Sequence, residues 1–206
     1  MNRKDHWENI YTNKALNEVS WYQPNPKLAL ALIEKYAHNK DAAILDVGGG
    51  DSFLVDHLLA AGFTNISVLD ISQKAIERAH KRLGAQADQV TWIVSDIVDY
   101  TPDRTFDIWY DRAAFHFLTD DKEVSQYESI VNGAVNAQDG TVIIGTFSEN
   151  GPLKCSGIEI KQYAKQDFMS LFATHFELID FINTDHDTPF DTVQNFNFAV
   201  MKKRNA

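Results

Sequence analysis

A single cysteine, Cys155, in 206 residues excludes an internal disulfide framework and fits a reducing compartment. Low-complexity stretches, internal repeats and proline- or serine-rich linkers are absent, so nothing in the composition divides the chain into separate units. No apolar run approaches the roughly 18–20 residues of a membrane span. The charged start, Met1 to Trp7, has no apolar stretch behind it and does not read as a signal peptide. Positive charge is the scarcer sign, with 19 Lys and Arg against 29 Asp and Glu and a formal net charge of −10. Nucleic acid is therefore not the expected partner, because nonspecific affinity for it comes from cations that neutralise phosphates. Lys202-Lys203-Arg204 is too short to reverse that. The expectation is a cytoplasmic protein of one domain, residues 1–206, with no membrane partner and an oligomeric state that composition does not reveal.

Glycine is not abundant, yet three of the ten glycines are consecutive. An apolar run, Ala42 to Leu45, leads into Asp46-Val47-Gly48-Gly49-Gly50-Asp51-Ser52, and Phe53 to Leu59 follows with helical spacing. Strand, glycine turn and helix in that order form the layout of a nucleotide-cofactor site at the carboxyl end of a first parallel strand. Glycine suits such a turn because it adopts positive φ and lets a ligand approach the backbone. A dinucleotide fingerprint read from Gly48 needs glycine at position 53, where Phe53 stands, which weighs against a nicotinamide-dependent oxidoreductase.

Downstream, strand and helix patterns alternate. Ile66 to Leu69 ends in Asp70, and a helix over 73–83 follows with Ser72 as N-cap and Gly84 as terminator. Further strands are expected at 90–94, 106–111 and 140–147, with a helix over 122–135 between the last two. Alternation of this kind predicts a parallel sheet covered on both faces, with ligands bound beyond the carboxyl ends of its strands. Asp46, Asp70, Asp96 and Asp111 all fall at those ends. Residues 176–182 and 195–201 lack room for a helix between them and are expected to pair as an antiparallel edge hairpin. Residues 1–40 read as two helices around a Ser20–Pro24 turn. They form a candidate lid over a core of 41–206, with Trp21 or Tyr22 placed to contact a ligand.

The acid-x-Gly-x-Gly turn at 46–50, the acid at Asp70, the Ser95-Asp96-Ile97 element and the closing hairpin together resemble a class I S-adenosylmethionine-dependent methyltransferase over roughly residues 40–204. The resemblance implies an α/β, Rossmann-like three-layer sandwich. Its sheet would have seven mostly parallel strands and a C-terminal antiparallel hairpin. It implies S-adenosylmethionine as cofactor and S-adenosylhomocysteine as product. Gly48, Gly49 and Gly50 would lie under the methionine part with Asp46 nearby, and Asp70 would accept from the ribose hydroxyls. Ile71 would pack on the adenine, Ser95, Asp96 and Ile97 would meet its edge, and the carbonyl region of Asp111 would lie near the methyl. The stretch Trp109 to Leu118 also resembles the Trp-Asp-Arg-Gly segment of thiopurine-type methyltransferases, but with Tyr110 inserted and Ala113 for glycine, so their substrate is not carried over.

Two residues beyond the fourth strand are candidates for acceptor chemistry. His116 can hold a proton near neutral pH and is the candidate base, or else a histidine of the aromatic core. Arg112 can grip a substrate carboxylate through its planar fork, or else pair with Asp111 or Asp120. Residues 149–157 read as a flap, in which Cys155 is not needed as a nucleophile. Asp185-His186-Asp187 fits a polar loop better than a metal site, because consecutive residues rarely converge on one ion. The expected acceptor is a small molecule. A protein lysine is the alternative, and a binding module without catalysis is a third reading.

Overall fold

The computed structural model describes residues 2–204. Helices α1 (Arg3–Asn13) and α2 (Lys27–Tyr36) precede β1 (Ile44–Val47), α3 (Leu54–Ala60), β2 (Ile66–Asp70), α4 (Gln73–Leu83) and β3 (Val90–Val94). Then follow β4 (Ile108–Arg112), α5 (Asp121–Ala134), β5 (Thr141–Phe147) and the small hairpin of β6 (Lys154–Cys155) and β7 (Ile158–Glu159). Helix α6 (Lys165–Phe172) and the long hairpin of β8 (Phe176–Asp187) and β9 (Val193–Lys203) complete the chain. The seven-stranded sheet has the order β3-β2-β1-β4-β5-β9-β8. Strands β1 to β5 pair in parallel, and β9 runs antiparallel to both of its neighbours. Among the described residues, no helix is long and apolar enough to cross a membrane.

The element boundaries follow local chemistry. Ser72 caps α4 by accepting from the Ala75 amide, and Gly84 ends the helix at φ +57°. Pro26 stands one position ahead of α2, and α6 was not evident from the sequence. Hydrophobic residues of α2, α3 and α4 cover one sheet face, while those of α5 and α6 cover the other.

Alternation along the strands decides which side chains meet at the carboxyl edge. Asp46 is level with Val68 on β2 and Tyr110 on β4, so Asp46, Tyr110 and Arg112 project to the same face. Asp111 projects to the other. There its carboxylate accepts from the Ala114 amide (2.9 Å), the Phe115 amide (3.1 Å) and the Tyr127 hydroxyl (2.8 Å), and Tyr127 in turn accepts from the Trp109 indole (3.0 Å). Asp111 is fully buried. It shapes the turn that follows β4.

Removing this carboxylate strands two buried amides and a buried hydroxyl. Asp111→Ala is expected to cost about 2–4 kcal/mol and lower the melting temperature by about 5–15 °C in a chain of this size. Asp111→Asn, which keeps an acceptor, should lose less. Equal melting temperatures for Asp111→Ala and wild type would contradict this role.

Candidate active site

Beyond the ends of β1, β2 and β4 lies a cavity of about 140 Å³. Its floor is the glycine turn. Gly48 has φ +67° and Gly50 +44°, a region that disfavours residues with a side chain. A Cβ on Gly49 would stand 2.5 Å from Asp46 Oδ2, and one on Gly50 2.7 Å from Asp70 Oδ2. The backbone therefore passes directly against two carboxylates, and only glycine leaves room.

Of the residues proposed from sequence, Asp46, Gly48, Gly49 and Asp70 line the cavity, as do Ile71, Ser95, Asp96, Ile97, Trp21 and Arg112. Gly50 supports the turn without lining the space. Asp111 itself does not line the wall, although its neighbours Tyr110 and Arg112 do; strand alternation turns its side chain to the other face, and the expectation for it concerned only its carbonyl region. His116 is likewise not brought to the cavity. It sits in a short 3-10 turn, Phe115–Phe117, with its ring 4.6 Å from Phe117 and 4.8 Å from Phe147, and it is fully buried. Burial, and secondarily the Arg112 charge, push its pKa down to about 3, so it holds a proton poorly at neutral pH. The histidine alternative that survives is the core residue.

The segment preceding the sheet forms the cavity's roof, and charged contacts hold it there. Arg3 reaches both oxygens of Asp96 (3.1 and 3.0 Å) and of Glu123 (2.6 Å each). Glu8 accepts from the Gln73 and Lys74 amides (2.8 and 3.1 Å) and from the Ser72 hydroxyl (3.0 Å). It thereby caps α4 from another helix, where the dipole favours an anion. Arg78 donates to the carbonyls of Tyr11 and Lys14 at the end of α1 (2.9 and 2.8 Å). Trp7 packs edge-on against Trp21 and Phe117, and Tyr11 brings its hydroxyl beside Gly50. Arg3 and Glu8 were not anticipated. Their partners are 93 and 64–66 residues away, and nothing local marks them. Cys155, carried by the β6–β7 hairpin, also lines the cavity, its thiol pushed up to about 11 by burial and hence neutral. No group of three or more His, Cys, Asp or Glu residues capable of holding a metal occurs among the described residues.

The acids are buried with little compensation. Desolvation pushes Asp70 up to about 7, against the lowering effect of the Ser72 amide that donates to Oδ1 (2.8 Å). It also raises Asp46 well above the usual carboxylate range, and Asp46 Oδ2 has no hydrogen-bond partner. A buried carboxylate on the cavity wall that lacks a donor, as Asp46 Oδ2 does, is placed to receive one from a ligand.

Residues 44–132 match the family model described as a methyltransferase domain. The chain is 28% identical over 123 residues to the eEF1A lysine and N-terminal methyltransferase of Mus musculus, a match covering 59% of this chain and 17% of that protein. It is 32% identical over 92 residues to malonyl-[acyl-carrier protein] O-methyltransferase 1 of Ilyobacter polytropus, covering 43% of this chain and 34% of that protein. The chain thus spans well under half the length of these relatives. The structure of N-methyltransferase NodS from Bradyrhizobium japonicum in complex with S-adenosyl-l-homocysteine superposes with a TM-score of 0.74 at 12% identity, covering 99% of this chain and 100% of that one.

The raised acids make stability depend on pH. Asp70 binds its proton more tightly folded than unfolded, so its stabilising effect is complete below about pH 4 and is lost as pH rises through about 7. The slope is at most about 1.4 kcal/mol per pH unit for each linked proton. Melting temperatures of the ligand-free protein between pH 5 and 8 should fall with rising pH, and less steeply in Asp70→Asn. Identical pH profiles for the two would remove Asp70 as the source.

Proposed function

We propose that this chain is a class I methyltransferase that transfers a methyl group from S-adenosylmethionine to a small-molecule acceptor, a reading supported by the methyltransferase-domain match at residues 44–132 and by the fold it shares with NodS. The observation that carries the acceptor class is enclosure. The cavity is roofed by the chain's own α1, held by Arg3, Glu8 and Arg78, and by the Trp21 segment, whose carbonyl neighbours accept from Arg112 and His186. What remains is a pocket, not an open groove.

The residues present suit the cofactor. Asp70 has one oxygen committed to the Ser72 amide and further acceptor capacity at the edge of the glycine turn, where a vicinal diol offers two donors. Asp96, held by Arg3, would accept from the adenine amino group, Ile71 would pack on the ring, and Ser95 and Ile97 would meet its edge. Asp46 and the glycine turn take the methionine part, whose ammonium supplies the donors that Asp46 lacks. The Trp21 side covers the ligand, and α1 serves as lid. Bound S-adenosylmethionine brings a methyl already activated on a sulfonium. The chain's part is to exclude water and to align the acceptor in line with it.

A protein lysine is the second reading, suggested by the similarity to eEF1A lysine and N-terminal methyltransferases. The positive charge of Arg112 in the cavity wall opposes the approach of an ammonium group.

Calorimetric titration with S-adenosylhomocysteine tests the site. Wild type should bind in the micromolar range. Asp70→Ala should bind at least tenfold more weakly, about 1.4 kcal/mol. Affinity should rise between pH 6 and 8 as Asp70 ionises. Undiminished binding by Asp70→Ala would refute the assignment, and methyl transfer to lysine peptides but to no small molecule would replace the acceptor class.

A further inference from the structure

Arg112 is left without a counter-charge. Its Nη1 donates at 3.3 Å to the Trp21 carbonyl, and its guanidinium carbon lies 4.8 Å from the Phe196 ring centre. Nη2 is shielded from solvent and has no hydrogen-bond partner. The acids nearest in sequence are occupied, Asp111 by Tyr127 and the amides of the following turn, Asp107 by the Ala43 amide and the Asn136 side chain, and Asp120 by the Lys122 amide at the start of α5. Among the described residues, no carboxylate comes within ion-pair distance of Arg112. Asp46 shares its sheet face, but burial favours the neutral form of that acid. A half-buried guanidinium with one nitrogen shielded and unpaired is costly, and the usual remedy is a hydrogen-bonded anion.

A second orphan stands beside it. Tyr110, two residues back on the same face of β4, is almost fully buried, and its hydroxyl is unpartnered. Both residues line the large cavity and also a smaller chamber of about 40 Å³ on the side of the β8–β9 hairpin, bounded by Gln23, Thr184 and His186. Asp185 borders the chamber too, but it is exposed and accepts from Asn195 at 2.6 Å. A water needs roughly 10–15 Å³ of such space, so a chamber of about 40 Å³ has room for a carboxylate and is too small for the cofactor. His186 donates from Nε2 to the Ser20 carbonyl (2.8 Å), which ties the hairpin to the Trp21 segment and closes the chamber.

We propose that Arg112 and Tyr110 form a carboxylate-binding subsite for the methyl acceptor, so that the acceptor is a small organic acid. The planar guanidinium fork and the adjacent hydroxyl match two carboxylate oxygens. The inference rests on the methyltransferase reading of the large cavity, and it narrows the acceptor from small molecules in general to anions. A carboxylate also occurs on the methionine part of the cofactor, and the experiment separates the two sources.

Small carboxylic acids, each paired with its primary amide, are titrated calorimetrically into the protein with and without S-adenosylhomocysteine, using wild type, Arg112→Met, Arg112→Lys and Tyr110→Phe. At least one acid should bind wild type, with its amide at least tenfold weaker. Arg112→Met should lose that acid by tenfold or more, while its binding of S-adenosylhomocysteine changes no more than its binding of 5′-deoxy-5′-methylthioadenosine, which lacks the carboxylate, and Arg112→Lys should fall between Arg112→Met and wild type. Tyr110→Phe should lose the acid by about threefold to tenfold. Because Arg112→Met removes an unpaired charge, its melting temperature should not fall, and Arg112→Lys carries the test if it does. Tenfold weaker S-adenosylhomocysteine binding in Arg112→Met, with unchanged binding of 5′-deoxy-5′-methylthioadenosine, would assign the carboxylate to the cofactor and overturn the proposal. Equal binding of acids and amides, or of acids by wild type and Arg112→Met, would overturn it as well. Failure of wild type to bind S-adenosylhomocysteine would count against the methyltransferase reading alone, and the acid titration of the ligand-free protein would still decide the subsite.

Discussion

The parallel pairing of β1 with β2 on one side and β4 on the other is the constraint on which the site depends. Its register sets Asp46 opposite Val68 and Tyr110, and Val47 opposite Leu69 and Asp111. A slip of one residue in β4 would exchange its faces, sending Arg112 into the α5 layer and the Asp111 carboxylate toward the cavity. Apolar residues hold the register from both sides. Ile44, Val68 and Ile108 belong to the core under α2 to α4, and Leu45, Leu69 and Trp109 to the core under α5 and α6. The polar edge of the sheet inherits its geometry from this packing.

Closure of the cavity rests on charge. Helix α1 buries little apart from Tyr11, so apolar burial alone does not fasten it. It is instead secured by Arg3 on Asp96 and Glu123, by Glu8 on the first amides of α4, and by Arg78 on its carboxyl end. Partly exposed contacts of this kind individually contribute little, and salt weakens them. Two of the roof's anchors, Asp96 and the start of α4 just after Asp70, adjoin the residues assigned to the adenine and ribose, so the roof and the cofactor site share elements.

The interior of the site is deliberately undersatisfied. Asp46 Oδ2, Tyr110 Oη and Arg112 Nη2, all on residues that line the cavity, lack partners. Asp111 shows the contrast, since its oxygens accept from two amides and a hydroxyl and it behaves as a structural group. Unpartnered groups on the wall of a cavity, unlike those sealed in the core, mark where binding free energy is available to a ligand.

Much of this organisation was legible in the sequence because it is local. The period of the apolar residues marked the alternating strands and helices, Ser72 and Gly84 marked the ends of α4, and the three glycines marked the turn between two carboxylates. Acidic residues at strand ends located the cavity. Tertiary structure decided what depends on facing and on distance. Adjacent residues in a strand point to opposite faces, so of Asp111 and Arg112 only one could enter the cavity, and packing against α5 determined which. Whether His116 met solvent depended on Phe117 and Phe147 closing around it. The anchoring of α1 joins residues many tens of positions apart, for which a one-dimensional pattern carries no signal. Sequence determined the elements and the chemistry at their ends; three-dimensional packing chose which of those groups are dry, paired or free, because burial and pairing belong to the neighbours a residue acquires on folding.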